Sequence, residues 1–153
     1  MPQNEPMTSQ NMQQLLDEYS QSHRNKTNKQ IHYICVPAIF WAISAMLWVV
    51  TIPYFLNLAI VMVVLLTVYY LSKDFIIAIE MLVFSGFCLG LNYFLLKTGV
   101  ALFVVAVVVF VVAWVFQFIG HKIEGKKPSF FKDLQFLLIG PAWIVQQLFK
   151  PKN

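Results

Sequence analysis

Charged side chains are scarce in this chain of 153 residues: they make up only 12% of it, whereas hydrophobic residues make up 59%. Soluble domains usually contain about 25% charged and about 45–50% apolar residues. A domain of this length has too much surface for its volume to hide such an apolar excess from water. The composition therefore excludes an ordinary soluble domain and indicates that a lipid bilayer surrounds part of the chain.

Several chemical signatures are also missing. The two cysteines, Cys35 and Cys88, lie in apolar stretches without CxxC spacing, so we expect packing residues rather than a disulfide or a thiolate metal site. The sequence contains no phosphate-binding loop, dinucleotide fingerprint or HExxH motif. Residues 1–30 contain no long apolar run, so we expect no cleavable signal peptide. The chain has only three histidines, which excludes the histidine-rich pattern of di-iron membrane desaturases.

The net charge of +4 does not indicate nucleic-acid binding, because the basic residues flank apolar segments, as they do in membrane proteins. The aromatic residues lie within the apolar runs, whereas a groove for single-stranded nucleic acid interleaves them with charge. We therefore expect membrane lipid and no nucleic acid as a partner.

Four apolar segments joined by very short links dominate the sequence. Each has about the 20 residues that a transmembrane helix requires. Links of two or three residues force consecutive helices to be antiparallel neighbours. The predicted spans are 33–50, 54–71, 75–96 and 99–119.

Two further segments flank these spans, and residues 1–7 are predicted to be disordered. Residues 8–22 carry a helical apolar stripe and are predicted to form an amphipathic helix against the membrane or the protein. Residues 130–149 contain charges, two glutamines and Gly140–Pro141, and are predicted to be interfacial or re-entrant rather than a fifth span. The apolar stripe of residues 8–22 consists of Met12, Leu15, Leu16, Tyr19 and His23.

The predicted fold class is thus an all-α integral membrane bundle that forms one domain over 8–153.

The distribution of basic residues predicts the orientation in the membrane. With four spans, every one of the 11 basic residues except Lys97 lies on the side that holds both termini. The positive-inside rule then places both termini in the cytoplasm of a multi-pass protein, in a bacterial inner membrane or the endoplasmic reticulum.

This topology brings His23, His32 and His121 to one membrane face. His23 and His32 are nine residues apart, which on one straight helix means opposite faces, so the chain must bend between them. Two carboxylates lie near enough to join them, Glu80 about 7.5 Å into the third span and Glu124 three residues after His121. Because a carboxylate at membrane depth is costly, we predict a role for one of them as ligand or base, without ranking the two.

Imidazole and carboxylate ligands suit iron(II) or zinc, and such a site leaves open positions for substrate. Nearby amide and phenol groups are predicted to orient the ligands without binding the metal themselves. Such a site could serve an oxygenase. A zinc-dependent lipid hydrolase and a non-enzymatic lipid-binding membrane protein are open alternatives. The predicted orienting residues are Tyr19, Asn25, Asn28 and Gln117.

Two motifs resemble those of a known family, the small membrane-embedded iron(II)-dependent 2-hydroxy fatty acid dioxygenases of fatty-acid α-oxidation. The resemblance extends from Gln14 to about Phe149. The motifs are Tyr19-x3-His23-x-Asn25-x2-Asn28-x3-His32-x4-Pro37 and Gln117-Phe118-Ile119-Gly120-His121-x2-Glu124-x3-Pro128.

The resemblance implies an enzyme that binds Fe(2+) through His23, His32 and His121. It implies oxidation of a long-chain 2-hydroxy fatty acid by O2 to the fatty acid one carbon shorter. Chain-length preference and oligomeric state are open at this stage.

Overall fold

The computed structural model describes residues 12–53, 56–125, 139–145 and 148, and this part of the chain is helical apart from one short two-stranded ribbon. The predicted disordered segment 1–7 and most of the predicted segment 130–149 lie outside the described residues. The elements are α1 (Met12–Ser22), α2 (Lys26–Trp48), β1 (Thr51–Ile52), β2 (Leu56–Asn57), α3 (Leu58–Leu71), α4 (Phe75–Lys97) and α5 (Leu102–Glu124).

Side-chain caps explain where several helices begin and end. Asn25, Asn57 and Asp74 have extended backbones, and their side chains accept hydrogen bonds from backbone N–H groups of the first turns of α2, α3 and α4. Gly125 ends α5 with a φ of 76°, a left-handed conformation that favours glycine. Its N–H donates to the carbonyl of His121, so the cap lies directly at the histidine-bearing turn.

Three helices, α2, α4 and α5, are each 23 residues long and apolar enough to cross a membrane. The fourth predicted span is shorter than expected, because α3 has only 14 residues. That length corresponds to about 21 Å, against about 30 Å of bilayer hydrocarbon. Part of predicted span 54–71 is used by β2, where Asn57 pairs with Thr51. Helical membrane architecture is thus supported, with three candidate spans rather than a demonstrated four.

The exposed surface of these helices is apolar, the reverse of a soluble protein. Val83 and Phe87 on α4 are each 69% exposed, and Val104 on α5 is 60% exposed. Soluble monomers rarely expose contiguous apolar surface on this scale. Lipid is the solvent that such a surface requires.

The most extensive helix–helix interface joins α2 and α5. Ala42, Ala45 and Ala106 are completely buried where these helices meet. Small side chains let helix backbones approach closely, which drives association where lipid removes the hydrophobic contribution. This contact aligns the start of α2 with the end of α5 and so brings His32 near His121.

A hydrogen bond ties α4 to α2 within the apolar region. The Asn92 amide donates to the Ser44 hydroxyl over 3.1 Å, and that hydroxyl donates to the backbone carbonyl of Trp41. Asn92 and Ser44 are both completely buried. A polar pair of this kind fixes helix register, because neither group can find water in the bilayer.

Helix α1 packs against protein, and its buried residues match the predicted stripe. Met12, Leu15 and Leu16 are at most 2% exposed and lie in a cluster with residues of the helical segment 139–145. Gly140 and Pro141 are themselves helical. The two segments together cover the histidine-bearing end of the bundle.

Candidate metal centre

The three histidines come from three different helical environments and meet at one end of the bundle. His23 follows the end of α1, His32 lies in the second turn of α2, and His121 lies in the last turn of α5. The bend required between the first two occurs at Asn25, the N-cap of α2. Capping by Asn25 therefore both starts α2 and turns His23 towards His32.

The imidazole rings form a compact group. The ring centroids are 4.3 Å apart for His23 and His32, 5.1 Å for His32 and His121, and 5.8 Å for His23 and His121. One potential ligand nitrogen from each ring lies within 4.8 Å of the other two. The exposed fractions are 1% for His23, 2% for His32 and 9% for His121. The group is thus nearly shielded from solvent.

Backbone hydrogen bonds select one ring nitrogen in two of these residues. The Nδ1 atom of His23 lies 2.8 Å from the carbonyl oxygen of Tyr19, and that of His32 lies 2.9 Å from the carbonyl oxygen of Asn28. A carbonyl can only accept, so each Nδ1 carries the proton. The lone pair of each neutral ring is therefore on Nε2, the arrangement that metal-binding histidines adopt.

Aromatic side chains enclose His23 on the side of α1 and segment 139–145. The Tyr19 ring stacks on it at 4.1 Å with 15° between the planes. Trp143 lies against Tyr19 at 5.0 Å, stacks on Tyr33 at 5.5 Å and donates through Nε1 to the Ser20 hydroxyl at 2.6 Å. Trp143 thus joins segment 139–145 to both α1 and α2 beside the histidines.

Glu124 lies one turn from His121 and binds the bend that carries His23. Its carboxylate accepts hydrogen bonds from the backbone N–H groups of Arg24 and Asn25 at 3.0 Å and from the Asn28 side-chain amide at 3.0 Å. These bonds attach the α1–α2 turn to the end of α5. Glu124 is thus placed to hold the bend that carries His23, and its role as ligand or base stays a prediction.

A close approach at Gly120 completes this connection. A Cβ atom at Gly120 would collide with the side-chain oxygen of Asn28, which is completely buried. Glycine therefore allows α5 to lie against the first turn of α2. Gly120, which precedes His121 in the second motif, therefore has a steric purpose, although the sequence analysis assigned it no role.

Gly120→Ala is expected to separate α5 from Asn28 and to lower thermal stability by several degrees, since overpacking a buried contact costs about 1–3 kcal/mol. Metal affinity should fall with it, because the same displacement moves His121. Thermal unfolding in detergent, with and without added metal, measures both effects. Gly90→Ala on α4 is the control, because a Cβ there meets nothing within 4 Å; equal stability of the two variants would contradict the expectation.

The other predicted orienting residues also lie here, but the predicted carboxylate Glu80 is not brought into the group. Asn28 and Gln117 are buried, on the faces of α2 and α5 that carry His32 and His121. Glu80 is half-buried on α4. Among the described residues, the potential metal ligands that gather within 4.8 Å are histidines alone. A catalytic role for Glu80 stays a prediction.

Sequence reasoning missed Trp143 and Ser20. Their 2.6 Å hydrogen bond links positions more than a hundred residues apart, so no local spacing signals it. The one available signal was a tryptophan in a segment too polar to be an ordinary span.

The donor set fits a divalent transition metal. Imidazole suits iron, zinc and copper, and three protein ligands leave coordination positions open. Metal–nitrogen bonds near 2.1 Å bring neighbouring ligand atoms to about 3 Å, so binding requires the rings to draw together slightly. Burial shields the three rings from water, since none of them is more than 9% exposed.

Comparison with known proteins places this chain in a family. The model of the family described as 2-hydroxy-palmitic acid dioxygenase Mpo1-like matches residues 9–151. A curated relative, the 2-hydroxy-palmitic acid dioxygenase MPO1 of Saccharomyces cerevisiae, is 32% identical over 140 residues, which cover 86% of this chain and 76% of the yeast protein. No solved structure matches. On these two matches, the chain belongs to the Mpo1-like family of 2-hydroxy-palmitic acid dioxygenases.

Proposed function

We propose that this protein is an iron(II)-dependent dioxygenase that oxidises long-chain 2-hydroxy fatty acids to the fatty acid one carbon shorter. The observation that carries the proposal is the buried group of three imidazoles, with potential ligand atoms within 4.8 Å of one another. The name of the yeast relative adds the substrate class.

Each histidine would hold the metal through one nitrogen, with Nε2 used by His23 and His32. Iron(II), when bound, would supply open positions for the two oxygens of a 2-hydroxy carboxylate and for O2. The Tyr19 and Asn28 carbonyls hold the first two rings in the required tautomer. The Glu124 hydrogen bonds keep the bend between them attached to α5.

The overall reaction balances without an external reductant. A 2-hydroxy acid and O2 give the shortened acid, CO2 and water, as the bond between C1 and C2 breaks. The substrate loses four electrons and O2 accepts four. The protein therefore requires no flavin or nicotinamide site, and the sequence has no dinucleotide fingerprint.

The bundle provides an environment for the acyl tail. The histidine group lies at one end of apolar helices, so a head group bound there directs its tail along the hydrocarbon region. Each buried methylene contributes about 0.8 kcal/mol. We further propose that this end is the cytoplasmic interface of the membrane, because the basic residues Arg24, Lys26, Lys29 and Lys122 lie around it.

The test is turnover by full-length protein purified in mild detergent and loaded anaerobically with iron(II). Addition of 2-hydroxypalmitate and air should consume O2 and release the fifteen-carbon acid in equal amounts. Zinc-loaded protein is the control and should be inactive, because zinc has no redox chemistry. Failure of the iron(II)-loaded protein to consume O2 or to form the fifteen-carbon acid would overturn the proposal.

A further inference from the structure

The helix packing leaves the side-chain amide nitrogen of Gln117 without a hydrogen-bond partner among the described residues. The residue is 6% exposed, and this nitrogen, Nε2, is buried. A buried amide donor without a partner is unfavourable, because it has given up its hydrogen bonds to water and gained none in return. Within a membrane bundle, water is a poor source of compensation.

The position of Gln117 relates it to the histidine group. It lies four residues before His121, on the same face of α5 and about 6 Å farther into the bundle. One turn towards the helix end, Gly120 approaches Asn28 and Ile31 of α2. One turn in the other direction, Ala113 packs in a cluster with Cys35. Gln117 therefore faces the turn of α2 that begins with His32.

We propose that Gln117 is a substrate-binding residue that recognises the 2-hydroxyl group, a role that rests on the proposed function. A fatty acid bound with its head group at the histidines places C1 outermost, C2 next and the tail deepest. A donor one turn farther in than His121 therefore meets the substituent on C2 before it meets the carboxylate. The Nε2 group donates to the 2-hydroxyl oxygen and thereby gains its missing partner.

This role differs from the orientation of metal ligands predicted from the sequence. The Nδ1 atoms of His23 and His32 already bind backbone carbonyls, so those two rings need no amide from Gln117. A hydrogen bond to the hydroxyl also supplies selectivity. A site built to bond a substrate hydroxyl rejects the analogue that lacks it, because its own polar group is then left unpaired.

The experiment measures dissociation constants for 2-hydroxypalmitate and palmitate by tryptophan fluorescence of the full-length protein in detergent. It is performed on metal-free protein and on iron(II)-loaded protein kept anaerobic. Metal-free wild type should prefer the 2-hydroxy acid about five- to tenfold, the value of one buried hydrogen bond. Gln117→Met, similar in volume, should abolish that preference and leave palmitate affinity and iron content unchanged.

Phe118→Leu, at a position 51% exposed on the lipid side of α5, is the matched control and should behave as wild type. Gln117→Asn keeps an amide but shortens its reach, so it should retain a smaller preference, and it serves if Gln117→Met does not fold. The inference is overturned if metal-free wild type shows no preference, or if the methionine variant keeps it or loses iron. Iron(II) should increase the preference of wild type for 2-hydroxypalmitate over palmitate. If it does not, that result counts against the proposed function instead.

Discussion

His121→Ala is expected to remove most bound iron and to reduce turnover of 2-hydroxypalmitate by at least about a hundredfold. Catalytic metal sites with open positions commonly have three protein ligands, and the two remaining histidines cannot hold the metal in the same geometry. His121 is the one member of the group supplied by α5, so its loss leaves no imidazole ligand from that helix. Elemental analysis and O2 uptake on the same samples measure the two effects.

The control for this variant is Ile119→Val, on the same helix turn but 45% exposed towards lipid. It should retain wild-type iron and activity. Truncation of His121 does not touch the alanine contacts between α2 and α5, so we expect the variant to fold. Wild-type turnover by folded His121→Ala would refute the assignment of the three-histidine metal site.

Glu124→Ala is expected to lower metal affinity by about 10–100-fold, as loss of residues that hold ligands in place generally does. Its carboxylate accepts from Arg24, Asn25 and Asn28, and truncation leaves those donors unsatisfied beside the bend that carries His23. Glu124→Gln keeps acceptor capacity through its amide oxygen and should lose less. Titration with iron(II) under anaerobic conditions measures the affinity of each variant.

Asp17→Ala provides the matched control, since Asp17 is an exposed acidic residue on α1 that accepts a hydrogen bond from Gln13 of its own helix. Its metal affinity should equal that of wild type. If Glu124 itself were a ligand, the glutamine variant would be as impaired as the alanine variant. Unchanged affinity in Glu124→Ala would show that the hydrogen bonds to the bend have no part in ligand placement.

Much of the helical architecture could be predicted from local sequence. Long apolar segments predict α2, α4 and α5 because a helix that satisfies its own backbone is the structure that lipid permits. The stripe of α1 predicts a buried face, which the structure confirms. The extent of the second predicted span was overestimated, because apolar composition does not distinguish a helix from the β1–β2 ribbon that shortens α3.

The gathering of the three histidines could be predicted from the sequence, while their role as ligands and that of the orienting residues stay predictions. Tyr19 and His23, like Asn28 and His32, are four residues apart, and a helix turn alone places each carbonyl near the following imidazole. Glu124 was predicted as a ligand or a base, and the sequence did not indicate its hydrogen bonds to the bend, because those partners lie about a hundred residues away.

By itself, the sequence determined that this is a helical membrane protein with its three histidines at one end, since periodicity and hydropathy are local properties of the chain. The tertiary structure decided which carboxylate reaches the bend at Asn25, why Gly120 has no side chain, and how Trp143 covers His23. It also showed that Gln117 is buried beside the site with its amide nitrogen unpaired among the described residues. These facts depend on how α2, α5 and segment 139–145 pack, and contacts between distant segments leave no periodic signal in one sequence.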